Sequence, residues 1–195
     1  MFPFILCFSY IAEVTTLPAK DGHVLRFEMT AWSSHRTMYF TTHYESIRRG
    51  SILKAGLDGS DRTVIVKRLK CPGGITIDRN FSKLFWTDYF AHLIQSSDLN
   101  GENVQTIATL RDGPEPWGIA AYNDRVFWGN DKARTVQGAD KTGGDIQTIY
   151  TAPSSVTHLT WVTKDVPQFS HQNDCDGLGC PNICVLTPTS ARCMG

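Results

Sequence analysis

Four cysteines crowd the C-terminal end of this sequence as Cys175-x4-Cys180-x3-Cys184-x8-Cys193, a density at which thiols either hold a metal as thiolates or join as disulfides. Structural zinc sites usually show paired Cys-x-x-Cys spacings, and none occurs here, so the cluster reads as disulfide-forming. Four cysteines allow three pairings, and spacing alone selects none. Asp174 and Asp176 lack the alternating Asp/Asn loop and closing Glu of a calcium site and read as solvated turn residues. Cys7 and Cys71 stand alone.

The remaining reactive residue types form no catalytic constellation. The sequence holds no Gly-x-Ser-x-Gly elbow, no His-Glu-x-x-His and no phosphate-cradling Gly-x-x-x-x-Gly-Lys, so no catalytic, cofactor-binding or metal-binding residue is expected. Six histidines (His23, His35, His43, His92, His158 and His171) make no i, i+4 pair. They read as surface residues, although histidine is the side chain that gains charge on mild acidification. Asn80-Phe81-Ser82 is an acceptor sequon in a turn between strands, a possible glycosylation site in a secreted chain. Lys67-Arg68-Leu69-Lys70 and Arg48-Arg49 are short basic runs of the kind that guard a strand edge.

Net charge excludes one class of partner. Nineteen basic residues offset nineteen acidic ones in 195 residues, so no long-range field gathers nucleic acid or anionic lipid. The longest apolar run, Phe2 to Ala12, is too short to cross a bilayer and lacks the basic start of a secretory leader.

The elements that must carry these residues announce themselves by repetition. Leu84-Phe85-Trp86-Thr87-Asp88 recurs 42 residues later as Val126-Phe127-Trp128-Gly129-Asn130, and a weaker copy, Met38-Tyr39-Phe40-Thr41-Thr42, lies 46 residues upstream. Asp58-Gly59, Asn100-Gly101 and Thr142-Gly143 follow the three motifs as turn signals. Pro72-Gly-Gly-Ile75 and Pro116-Trp-Gly-Ile119 open the run before a motif, which adds Gly74 and Gly118 to the expected turn glycines Gly59, Gly101 and Gly143. The pattern predicts four short strands per unit, in one copy about Gly74 to Asp78, Lys83 to Tyr89, His92 to Leu99 and Val104 to Thr109, and no helix. A single four-stranded sheet cannot bury both faces, so neighbouring sheets must stack, with the aromatics of the motif between them.

Phe85-Trp86-Thr87-Asp88, then Leu99-Asn100-Gly101, then Pro116-Trp117-Gly118-Ile119 resembles the class B, or YWTD, repeat of the low-density lipoprotein receptor family. The resemblance implies that Asp88 ties neighbouring blades by hydrogen bonds to backbone; Thr42 and Asn130 stand at the matching places. It also aligns Phe8 and Gly22 with a degenerate first blade, and Ser155 to Val162 with a strand that closes the propeller. The cysteine tail resembles the EGF-like module of the same receptors, which implies Cys175 with Cys184 and Cys180 with Cys193. A six-bladed ring would need about 250 residues where about 165 are available.

The expected architecture is therefore all-β: an incomplete YWTD-type β-propeller of about three to four blades over residues 1–165, with bare strand edges, and a truncated EGF-like module over residues 166–195. The resemblance implies a non-catalytic extracellular segment of an endocytic receptor that binds lipoprotein-type cargo or receptor ligand-binding repeats and helps release them in acid, at the plasma membrane or endosome, or secreted. Growth-signal (Wnt-type) co-receptors and basement-membrane linkers share the architecture. A calcium-dependent propeller hydrolase would need its own motif in place of the aromatic repeat.

Overall fold

A computed structural model describes residues 29–32, 35–44, 49–110, 114–159, 183–186 and 191–194. Twelve strands form three four-stranded antiparallel sheets, each running in chain order. Blade 1 holds β1 (Met29–Trp32), β2 (Thr37–Tyr44), β3 (Arg49–Gly56) and β4 (Thr63–Leu69). Blade 2 holds β5 (Pro72–Asp78), β6 (Lys83–Asp88), β7 (Leu93–Asp98) and β8 (Gln105–Thr109). Blade 3 holds β9 (Pro116–Tyr122), β10 (Arg125–Asn130), β11 (Thr135–Asp140) and β12 (Gln147–Thr151). The aromatic motif occupies the second strand each time. A separate hairpin pairs β13 (Ile183–Leu186) with β14 (Ala191–Met194). No α-helix occurs among the described residues.

Turn chemistry sets the strand lengths. Gly59, Gly101 and Gly143 all take φ near +80°, the left-handed region that glycine enters without a Cβ penalty. Bulges recur between the first and second strands of blades 2 and 3 and between the third and fourth strands of all three, adding twist at equivalent places.

Alternation along the motif strand decides what fills the space between blades. In β6, Trp86 points back to blade 1 and packs with Tyr39, Ile52, Val66 and Leu69, while Phe85 points forward and packs with Ile119, Val126 and Trp128 of blade 3. Trp86 and Trp128 have no exposed surface, Phe85 1%. Each such ring removes about 150–250 Å² from water, roughly 4–6 kcal/mol at about 25 cal/mol/Å².

Three expectations need correction. Gly74 and Gly118 lie inside β5 and β9, not in turns. Glycine is needed there because blades approach backbone to backbone: a Cβ on Gly74 would sit 2.6 Å from the Trp117 carbonyl, and one on Gly118 would sit 2.7 Å from the His158 Cα. Residues 155–159 form no strand, yet their backbone runs against Gly118 and Gly129 of blade 3, where another blade's first strand would lie. Strands β7 and β8 each start one residue later than expected, at Leu93 and Gln105, because His92 and Asn103 take positive φ ahead of them. Phe8, Gly22 and residues 160–162 fall outside the described residues.

Candidate functional site

The residues that tie blade to blade gather where the motif strands end. Thr87 Oγ1 donates to the Trp117 carbonyl at 2.7 Å, joining β6 to β9, and Thr41 Oγ1 donates to the Gly73 carbonyl at 3.1 Å, joining β2 to β5. In blade 3 the same place is Gly129, and the Val156 backbone lies directly against it. Packing replaces the hydrogen bond.

Asp88, next along, is 2% exposed. Its carboxylate accepts the N–H of Lys70 at 2.8 Å, of Cys71 at 2.9 Å and of Ala91 at 3.3 Å. Lys70 and Cys71 link β4 to β5, so one side chain holds the connection between two blades with charge-assisted bonds. Three backbone N–H groups thus hold the buried Asp88 carboxylate as a brace at the blade junction. At the matching positions the bonding stays within a blade: Thr42 Oγ1 reaches the Ser51 carbonyl at 3.5 Å, and Asn130 Nδ2 donates to Thr135 Oγ1 at 2.9 Å and Gln137 Oε1 at 3.0 Å.

Sequence reasoning missed the residues that cover this rim. Tyr89 is buried and meets Phe90 and Trp117 edge-on at ring separations of 5.1 and 5.3 Å, over Cys71. Its hydroxyl donates to Glu115, which also receives Lys132 Nζ at 2.6 Å. Lys132 stands 57% exposed, its ammonium held in an ion pair with Glu115 above the aromatic residues. The signal was present, since Tyr89 and Trp117 adjoin the motifs, but their meeting depends on blade stacking. The histidines are expected at the surface; His35 and His158 are exposed, but His43 is buried at the blade interface with its ring 6.4 Å from Phe90, and His92, half-buried, has Nδ1 3.0 Å from the Pro114 carbonyl. His23 and His171 lie outside the described residues.

The motif residues Tyr39, Phe40, Phe85, Trp86, Thr87, Asp88, Trp128 and Asn130 are all buried, and Phe127 is half-buried on the forward face of blade 3. Lys67, Arg68 and Lys70 are exposed at the outer strand of blade 1. Asn80 is exposed in the turn after β5. Cys184 and Cys193 stand directly opposite in the β13–β14 register, while Cys175, Cys180 and Cys7 lie outside the described residues. Among the described residues no group of three or more His, Cys, Asp or Glu is placed to hold a metal ion, and no helix is long and apolar enough to cross a membrane.

Burial shifts one phenol and hydrogen bonding one carboxylate. Burial pushes the Tyr39 hydroxyl above the ordinary tyrosine range. A hydrogen bond from Arg125, then one from Gln147, holds Asp145 below the usual carboxylate range.

Comparison with known proteins gives receptor relatives over part of the chain and solved structures of similar fold that include a gluconolactonase from Xanthomonas campestris, with a TM-score of 0.53 at 15% identity, covering 64% of this chain and 46% of that one. The human low-density lipoprotein receptor-related protein 5 is 32% identical over 75 residues, 38% of this chain and 4% of that protein. The vitellogenin receptor of Solenopsis invicta is 23% identical over 143 residues, 73% of this chain and 8% of that one. The chain thus spans under a tenth of the length of either. Among solved structures, one from a nidogen/laminin complex superposes with a TM-score of 0.55 at 20% identity, covering 63% of this chain and 46% of that one, a likeness of fold. No protein-family model matches.

Proposed function

We propose that the three blades are a class B repeat region of the low-density lipoprotein receptor type, as the partial relatives support, and that the chain is a non-catalytic, extracellular, protein-binding segment of a lipoprotein-receptor-like endocytic receptor. The observation that carries this reading is how the reactive side chains are used. Asp88, Thr87 and Thr41 are consumed in bonds between blades, and the motif aromatics in the packing between them. What remains at the rim is a surface bearing the Lys132–Glu115 pair and the half-buried Phe90, suited to gripping a partner.

The relatives' receptor names support a place on the extracellular face of a membrane or in an endosome. The partners we assign are lipoprotein-type cargo or acidic ligand-binding repeats of a receptor, released in acid. Within this reading residues 166–195 are a truncated EGF-like module stapled Cys175 to Cys184 and Cys180 to Cys193. Immobilised chain should bind such repeats at about pH 7.4 and bind them with altered affinity at about pH 5.5, the interval in which histidine charges. Absence of binding at both pH values removes the proposal.

A second reading keeps the platform and changes the partner, to a growth-signal ligand or a laminin-type matrix protein. Pulldown with a laminin fragment or a secreted growth-signal ligand separates it from cargo binding. A broad screen for calcium-dependent esterase or lactonase activity should stay at background under both readings.

A further inference from the structure

The end of the blades opposite Asp88 carries features that a binding rim does not use. Asn80, Phe81 and Ser82 turn the chain from β5 into β6 with all three residues exposed, Phe81 at 63%. The turn is held in shape, since Asp78 Oδ1 accepts the Asn80 N–H at 3.1 Å and Ser82 takes φ 52°. A phenyl ring left in water at such a place forfeits the burial free energy of its apolar surface and serves neither inter-blade cluster.

Beside the ring a cavity of about 370 Å³ opens between blades 2 and 3. Its lining includes Phe81, Gln105, Asp124, Asp140, Lys141 and Thr142. Lys141 is fixed in place: its ammonium pairs with Asp78, reaches the Asn123 carbonyl, and stands 5.3 Å from the Phe81 ring centroid. An exposed aromatic ring edged by amide, carboxylate and hydroxyl groups is the chemistry that receives a sugar, whose C–H face lies on the ring while its hydroxyls find polar partners.

The geometry points to Asn80 as an N-glycosylated residue whose first N-acetylglucosamine packs on Phe81 and reaches into this cavity. The inference rests on the extracellular reading, because the donor, a lipid-linked oligosaccharyl diphosphate, belongs to the secretory route. In the transfer the Asn80 Nδ2 forms a bond to C1 of the sugar as the bond from C1 to the diphosphate oxygen breaks. The lipid diphosphate leaves with the electron pair, and the amide loses one proton to a base; nothing is oxidised or reduced. Folding then leaves the sugar at the surface, over the ring and the Lys141–Asp78 junction.

The test uses the whole chain, expressed behind a secretory leader in eukaryotic cells as wild type, N80Q, S82A and F81S. The wild type should carry one endoglycosidase-sensitive glycan, mapped to Asn80 by mass spectrometry, and N80Q and S82A none there. With the glycan trimmed to a single sugar, the wild type should melt about 2–4 °C above N80Q. In the F81S background, comparing glycosylated molecules only, that increment should vanish. A secreted wild type with unmodified Asn80, or an increment that survives F81S, overturns the inference. Ligand binding is read on the same samples: an unmodified chain that binds ligand sinks only this inference, and a glycosylated chain that binds none sinks only the platform reading.

Discussion

Replacing Asp88 by alanine strips acceptors from the N–H groups of Lys70, Cys71 and Ala91, two of which join blade 1 to blade 2. The Cys71 N–H is buried and the other two are part-buried, and a buried donor that loses its acceptor costs about 1–3 kcal/mol, so urea unfolding of Asp88→Ala should show a loss of about 2–4 kcal/mol. Thr87→Val keeps the shape and removes the buried hydrogen bond to the Trp117 carbonyl, with an expected loss of about 1–2 kcal/mol by the same assay. The acid limb has a different source. Asp145 is held below its unfolded value, so its contribution is present above about pH 4, the unfolded range, and fades as pH falls through the folded value. The Tm gap between wild type and Asp145→Asn should therefore be present at neutral pH and close on acidification. Tyr39 works in the opposite sense, its stabilisation being lost only as pH rises past the ordinary tyrosine range. The motif aromatics could be read from sequence because their type and spacing repeat. The Lys141–Asp78 pair could not, because the partners lie 63 residues apart and meet only when two blades are stacked in register.

At the scale of the element, glycine does two jobs that composition does not distinguish. Gly101 and Gly143 open turns at positive φ and also rest against the backbone of Ile65 and Ile107 in the outer strand of the preceding blade. Gly74 and Gly118 serve contact alone, inside strands. Gly74→Ala should therefore lower stability by about 1–3 kcal/mol although alanine suits a strand, because its Cβ meets main chain that cannot swing aside. Thermal unfolding checks it. Strand number and order were legible from the turn signals, whereas the starts of β7 and β8 were not, since His92 and Asn103 take left-handed geometry that nothing in their type demands.

For the molecule as a whole, the period of 42 residues states what each face expects. Ile107 and Ala108 of β8 are 5% and 3% exposed beneath blade 3, while Ile149 and Tyr150, one period on, are 51% and 58% exposed on β12. Lysine at Ile107 should abolish folding, and lysine at Ile149 should leave Tm within about 1 °C and raise solubility. The stacking of blades was readable from the repeat; the course of residues 155–159, aligned there with a strand, was not, because they lie against Gly118 and Gly129 through backbone and the Val156 side chain without strand pairing. The most direct test is hydrogen exchange on Trp86→Ala, read separately in the blade 1–2 and blade 2–3 clusters. Interlocked blades predict that truncating this one ring, at about 3–5 kcal/mol, lowers protection in both clusters together. Loss confined to residues touching Trp86, with β9 to β11 unchanged, would contradict a single rigid platform.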